Sequence, residues 1–269
     1  MYRRTLALGV VLATALSSAT ALASADAATN HQDAVQRADR DYQVVAKVNK
    51  TEPLVNGKVK IKAKVTPVAP RASVTLQLKY VDQKKWKTVD HGRLNSQGKV
   101  TFTDKVNSPR VRKYRVVKPA DAKADAGRGE TEKVFVFGWR DLTSIPAATS
   151  TNVIKADSVK MNGVAYPSSL RSYIGYPPPG DTGSIEYNLN RGCKSFRGAV
   201  GVEDSSPVSA TATIQLSTDG TQRYSGSFAL TQSAPVAFDV SKVFRLTIAT
   251  ATTGGGFAAV GTPQVLCSF

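Results

Sequence analysis

Cysteine, histidine, tryptophan and methionine occur only twice each in 269 residues, and Asp plus Glu number 20 against 36 Lys plus Arg. Each shortage excludes something. Two cysteines cannot build a four-cysteine zinc site, and His31 and His91 have no cysteine or acidic cluster at ligand spacing. A Ser-His-Asp arrangement would have to use one of those two histidines, and no nucleophile elbow accompanies either. Gly254-Gly255-Gly256 lacks the strand and helix that flank a phosphate cradle. Past the N-terminal segment no apolar run reaches the length that crosses a bilayer, and no stretch carries a helical period. The chain reads as a non-enzymatic, all-β protein with no cofactor.

The N-terminus reads as an address. Arg3 and Arg4 precede an apolar run from Leu6 to Leu16, and Ala21, Ala23 and Ala25 offer small residues for cleavage. Residues 1–25 are therefore expected to be a secretory signal peptide, followed by a polar leader over residues 26–41. A secreted or cell-wall-associated protein without a membrane span is implied. In an exported chain a single pair of cysteines predicts a Cys193–Cys267 disulfide.

Charge divides the chain. Residues 28–140 carry 25 Lys and Arg against 11 Asp and Glu, whereas residues 141–269 carry 9 against 8. Such asymmetry predicts two domains with different surfaces. Within the basic half, Val59, Ile61, Ala63 and Val65 alternate with Lys58, Lys60, Lys62 and Lys64, the period of a strand with one buried face. Val74, Leu76 and Leu78 form a second such series. Trp86 to Val89, Val100 to Phe102, Tyr114 to Val116 and Val134 to Phe137 continue it, with turn signals at Asn56-Gly57 and Ser96-Gln97-Gly98. About seven short strands predict an immunoglobulin-like sandwich over residues 42–140. Residues 120–132 read as a polar hairpin loop, and residues 141–151, with Pro146 among small residues, as the linker.

The second half alternates again. Ile185, Tyr187 and Leu189 fall on one face, then Phe196, Val200 and Val202 on another, with Asp219-Gly220 the clearest turn. These residues, with Gly201-Val202-Glu203-Asp204, Asn162-Gly163 before Tyr166 and Leu170, Asp219-Gly220, and Phe238-Asp239-Val240-Ser241 before Leu246 and Ile248, resemble the NPCBM family of carbohydrate-binding modules over residues 152–269. The resemblance implies a jelly roll of the galactose-binding-like type, with sugar binding in some members. Two positions depart from the family: the stretch 173–180 lacks its histidine turn, and Ala259-Val260-Gly261 stand where it often carries a tryptophan. The first half, through Val74, Leu76, Leu78, Trp86, Val100, Phe102, Tyr114 and Val116, resembles Ig-like repeats of actinobacterial surface proteins. The expected fold is thus two β-sandwiches, Ig-like and then jelly roll.

Three sets of residues are candidates for contact. Tyr166, Tyr173 and Tyr176 stand in or beside a proline-rich loop, where they could stack on a sugar or cover the sandwich end. Lys58, Lys60, Lys62 and Lys64 could meet a polyanion or serve as a solvated face that protects the sheet; Arg110, Arg112, Lys113 and Arg115 add a second basic run. Glu203 and Asp204 are expected to form a turn that could touch a structural calcium; Trp86 is expected to pack across strands. The expected partner is a glycan or an anionic cell-wall polymer, not nucleic acid. The competing reading is a structural or protein-interaction surface protein whose jelly roll binds no sugar.

Overall fold

The computed structural model describes residues 41–173 and 182–269. The expected signal peptide, nearly all of the leader, and Tyr176 lie outside the described residues. The described chain is all-β, with one 3-10 turn at Leu142–Ser144.

The first sandwich pairs two antiparallel sheets. One holds β1 (Gln43–Val48) and β2 (Lys58–Thr66). The other begins with β3 (Ser73–Tyr80) and β4 (Lys87–Arg93). The chain returns to the first sheet through β5 (Lys99–Lys105), then to the second through β6 (Val111–Lys118), β7 (Gly127–Glu130) and β8 (Val134–Phe135). The orders are β1-β2-β5 and β4-β3-β6-β7, with β8 also on β6. On β2 every valine, isoleucine and alanine is buried and every lysine exposed, as the alternation predicts. Val59, Ile61 and Val65 share the core with Phe102 of their own sheet and with Val74, Leu76 and Val116 of the other, each fully buried side chain contributing about 1.5–3 kcal/mol.

Two readings of this half need correction. Residues 120–132 are not only a loop, because Gly127–Glu130 pairs with β6 from Arg115 to Lys118. A β-carbon on Gly127 would stand 1.8 Å from the Tyr42 carbonyl oxygen, and one on Gly129 2.1 Å from that of Val44. Glycine lets β7 lie against β1, and a strand of glycine and charge carries no apolar period to betray it. The run from Arg110 to Arg115 is not one basic face either. Arg112 points inward, 2% exposed, donating to the Ser108 carbonyl and lying 3.7 Å from Asp104. Arg110 pairs with Asp82 over the Tyr80 ring, and Arg115 lies on Trp86.

Among the described residues the second sandwich has eleven strands in two sheets. They are β9 (Gly138–Asp141), β10 (Thr149–Thr151), β11 (Val153–Met161), β12 (Val164–Ser172), β13 (Thr182–Asn188), β14 (Cys193–Val202), β15 (Thr211–Thr218), β16 (Thr221–Ala229), β17 (Ser233–Asp239), β18 (Arg245–Thr253) and β19 (Ala258–Cys267). One sheet runs β10-β13-β18-β15-β16, the other β11-β12-β19-β14-β17 with β9 also on β19. From β13 onward the chain passes back and forth between the sheets, which is jelly-roll winding. Ile185, Tyr187, Phe196, Val200, Ile214, Leu216 and Ile248 fill the space between, and Phe196 stacks on Phe238 at 4.9 Å. Asp219 and Gly220 adopt φ of 48° and 81°, the left-handed pair of a two-residue hairpin turn. Cys193 and Cys267 are register partners on β14 and β19 and form the disulfide.

Residues 141–151, expected as a linker, are folded into this sandwich. Leu142 is fully buried in its core, and Thr149–Thr151 pairs with β13. Residues 42–269 form one compact unit. Phe269 helps join its parts: the Phe269 N–H donates to the Pro109 carbonyl, and the Val111 N–H donates to that of Phe269. Lys194 of β14 pairs with Glu52 and lies 4.5 Å from the Phe137 ring.

Candidate functional site

Side chains alternate across a strand, so those of β14 that do not enter the core face outward. Arg197 and Ala199 do so, beside Ala237 and Pro235 of β17 and beside Gln264 and Gly261 of β19. Most of these are small, and a groove of ≈ 780 Å³ opens over them. Tyr166 of β12 lines one side. Its ring lies so close over Gly261 that a β-carbon there would come within 2.5 Å of the ring's Cγ. A backbone irregularity between Arg197 and Ala199 and a left-handed Thr262, φ 44°, break the ladder opposite each other and shape the floor.

The polar end of the groove is built on a lateral row. Asp141 of β9 pairs in register with Gln264, and Gln264 with Arg197. The Gln264 Nε2 donates to Asp141 Oδ1 at 2.7 Å, and Arg197 Nε donates to Gln264 Oε1 at 2.8 Å. The guanidinium also lies 3.9 Å from the centre of the Trp139 ring, and that ring stays 39% exposed. Arg197 is thus held by a hydrogen bond at one nitrogen and by an aromatic face. Among the described residues its two terminal nitrogens have no hydrogen-bond acceptor. They are free to meet a carboxylate or a pair of hydroxyls from outside.

The tyrosines do not form one platform. Tyr173 is half exposed at the far end of β12, roughly 23 Å of extended strand from Tyr166. Tyr166 alone lines the groove, and Tyr176 lies outside the described residues. Trp139 was missed because it stands where the chain leaves the first sandwich, and only its pairing with Leu266 brings it to this face. The signal available was a tryptophan within two residues of an aspartate at a domain boundary, which by itself points nowhere.

Glu203 and Asp204 follow β14, and the Ser206 N–H closes their turn on the Glu203 carbonyl. Glu203 pairs with Arg171 at 3.2 Å, and Asp204 Oδ2 accepts the Gly163 N–H at 2.9 Å. Among the described residues no group of three or more His, Cys, Asp or Glu is placed to hold a metal ion. Trp86 is half-buried, between the Arg115 guanidinium at 4.4 Å and Lys79 Nζ at 5.0 Å.

Residues 180–259 match the NPCBM/NEW2 domain. The matched segment supplies Arg197, Ala199, Pro235 and Ala237 of the groove, whereas Trp139, Asp141, Tyr166, Gly261 and Gln264 lie outside it. The first sandwich is not covered by the match. No curated protein matches the chain. Among solved structures the chain is similar to CBM51 from Clostridium perfringens GH95 in complex with methyl-galactose, at 14% identity and a TM-score of 0.39, over 48% of this chain and 99% of that one. It is also similar to an allantoicase, at 10% identity and a TM-score of 0.22, over 79% of this chain and 78% of that one.

Proposed function

We propose that this is an exported, non-catalytic binding protein of the cell envelope or its exterior, and that its second sandwich holds a carbohydrate in the groove between Tyr166 and Arg197. The observation that carries this is the fixed guanidinium of Arg197, stacked on an exposed Trp139 inside a sandwich that matches NPCBM/NEW2. Sugar recognition needs aromatic surface for the C–H faces of the ring and rigid donors for its hydroxyls, and both converge here. Among the described residues Asp141, engaged by Gln264, is the one carboxylate at the groove's end and none lines its floor, whereas glycoside hydrolysis places two about 5–9 Å apart across the bond to be cut. The Ig-like kinship of the first sandwich belongs to the same proposal.

The competing reading, a surface protein that binds no sugar, is favoured by one detail: Arg197 covers one face of the Trp139 ring that a sugar would otherwise use. A glycan array probed with the full chain and with Trp139→Ala separates the two. Sugar binding is expected for the parent chain and a marked loss for the variant. Silence across the array, or binding that Trp139→Ala leaves unchanged, supports the competing reading.

A further inference from the structure

The exposed face of the β1-β2-β5 sheet collects more lysine than β2 alone. Lys58, Lys60, Lys62 and Lys64 are joined by Lys47 of β1 and by Lys99 and Lys105 of β5, all exposed. Register sets them against each other: Lys47 opposite Lys62, Lys64 opposite Lys99, Lys58 opposite Lys105. The other outward positions are Gln43, Val45, Thr66, Thr101 and Thr103, none acidic. Among the described residues none of the seven lysines takes part in an ion pair. A shallow trough of ≈ 560 Å³ on this face is lined by Lys47, Lys62, Lys64 and Lys99.

Like charges directly opposite in a sheet are destabilising. A face that needed only solubility would mix signs. We propose that this face binds a linear extracellular polymer bearing a phosphate, sulfate or carboxylate in each repeat. Neighbouring lysine backbone positions stand about 6–7 Å apart along a strand and about 5 Å between strands. Both spacings fall inside the ≈ 8 Å screening length of physiological salt, so the row acts as one field. Lysine offers a point charge and not a fork, so recognition follows anion spacing and not the geometry of a single group. The face carries no aromatic side chain, and the stacking that holds single-stranded nucleic acid is missing. The site lies on the first sandwich and is independent of the proposed groove on the second.

The test uses the full chain and columns of immobilised heparin, polyphosphate, single-stranded DNA and dextran, each eluted with a salt gradient. Retention on heparin or polyphosphate, and not on dextran, is expected; which of the two holds longer tells sulfate or carboxylate repeats from phosphate. Replacing Lys58, Lys60, Lys62 and Lys64 by Gln should cut the slope of log affinity against log salt by about 3, at roughly 0.7 per neutralised charge. Lys47→Gln with Lys99→Gln and Lys105→Gln should act in the same direction from the neighbouring strands. A charge-matched control replaces the exposed Lys84, Lys85, Lys123 and Lys133 by Gln, with circular dichroism confirming that every variant folds. Equal losses in the control and the β2 variant mean that net charge and not this face is responsible, and overturn the proposal. Retention on DNA equal to or longer than that on heparin and polyphosphate overturns the choice of polymer.

Discussion

The guanidinium of Arg197 is fixed from two sides, by Gln264 at 2.8 Å and by the ring of Trp139 at 3.9 Å. Its energetic weight comes from that preparation. A flexible surface arginine must be ordered before it binds, and ordering such a side chain costs about 0.5–1.5 kcal/mol. Arg197→Lys keeps the charge but loses the planar fork and the stacking. If the groove holds sugar, this variant should bind the array-selected glycan about tenfold more weakly by calorimetry, and Trp139→Ala about thirtyfold more weakly, a loss near 2 kcal/mol. Gly261→Ala tests the other wall. Its new β-carbon would meet Tyr166 at 2.5 Å, so the ring must move, and affinity should fall together with a small loss of stability. At this scale the sequence was partly legible. Tyr166 could be named as a candidate, but Arg197 looked like any exposed strand cation until Trp139 was seen beside it.

Strands explain more of the stability than single residues do. On β7 the inward neighbour is backbone: buried Gly129 faces the Val44 carbonyl so closely that an added methyl group would stand 2.1 Å from it. Gly129→Ala must push β1 away from β7, and thermal unfolding should show a loss of about 3 kcal/mol. Where β6 turns toward β7, the Asp121 carboxylate accepts from Lys118 Nζ at 2.9 Å, from the Lys123 N–H at 2.9 Å and from the Tyr42 hydroxyl at 2.8 Å. These donors, Lys118 first, hold its pKa well below the usual carboxylate range. A depressed folded pKa contributes stability that is present above the unfolded value, near 3.9, and lost as pH falls through the folded one. Melting temperatures of the parent and Asp121→Asn, compared from pH 7 to pH 2, should differ most at neutral pH and converge in acid. A gap that stays constant across that range would remove the carboxylate from the account. The disulfide acts between elements too, tying β14 to β19 across a sequence separation of 74. Its reduction should lower stability by about 4 kcal/mol in the chain-entropy model, read as a shift in the denaturant midpoint with and without reductant.

For the molecule as a whole, the boundary between sandwiches falls near Phe137 and not near Pro146. Phe137 is buried against the first sandwich's Leu54 loop, and Gly138–Asp141 already pairs with β19. Limited proteolysis should therefore leave residues 138–151 attached to the second sandwich, and early cleavage near Pro146 would count against this placement. Alternation along one strand is a local property. For that reason the sequence alone determined the all-β class, the inward and outward faces of β2 and the turn at Asp219-Gly220, whereas the pairing of Cys193 with Cys267 followed from there being two cysteines and no other partner. Lateral neighbours are a different matter, because they depend on which distant strands pair and in what register. No local period told that Lys99 and Lys105 would lie beside Lys64 and Lys58, or that a glycine strand would close on β1. The same holds for Trp139, which looked like the last residue of one sandwich. Only the pairing of β9 with β19 carried it to the Arg197 guanidinium on the face of the other.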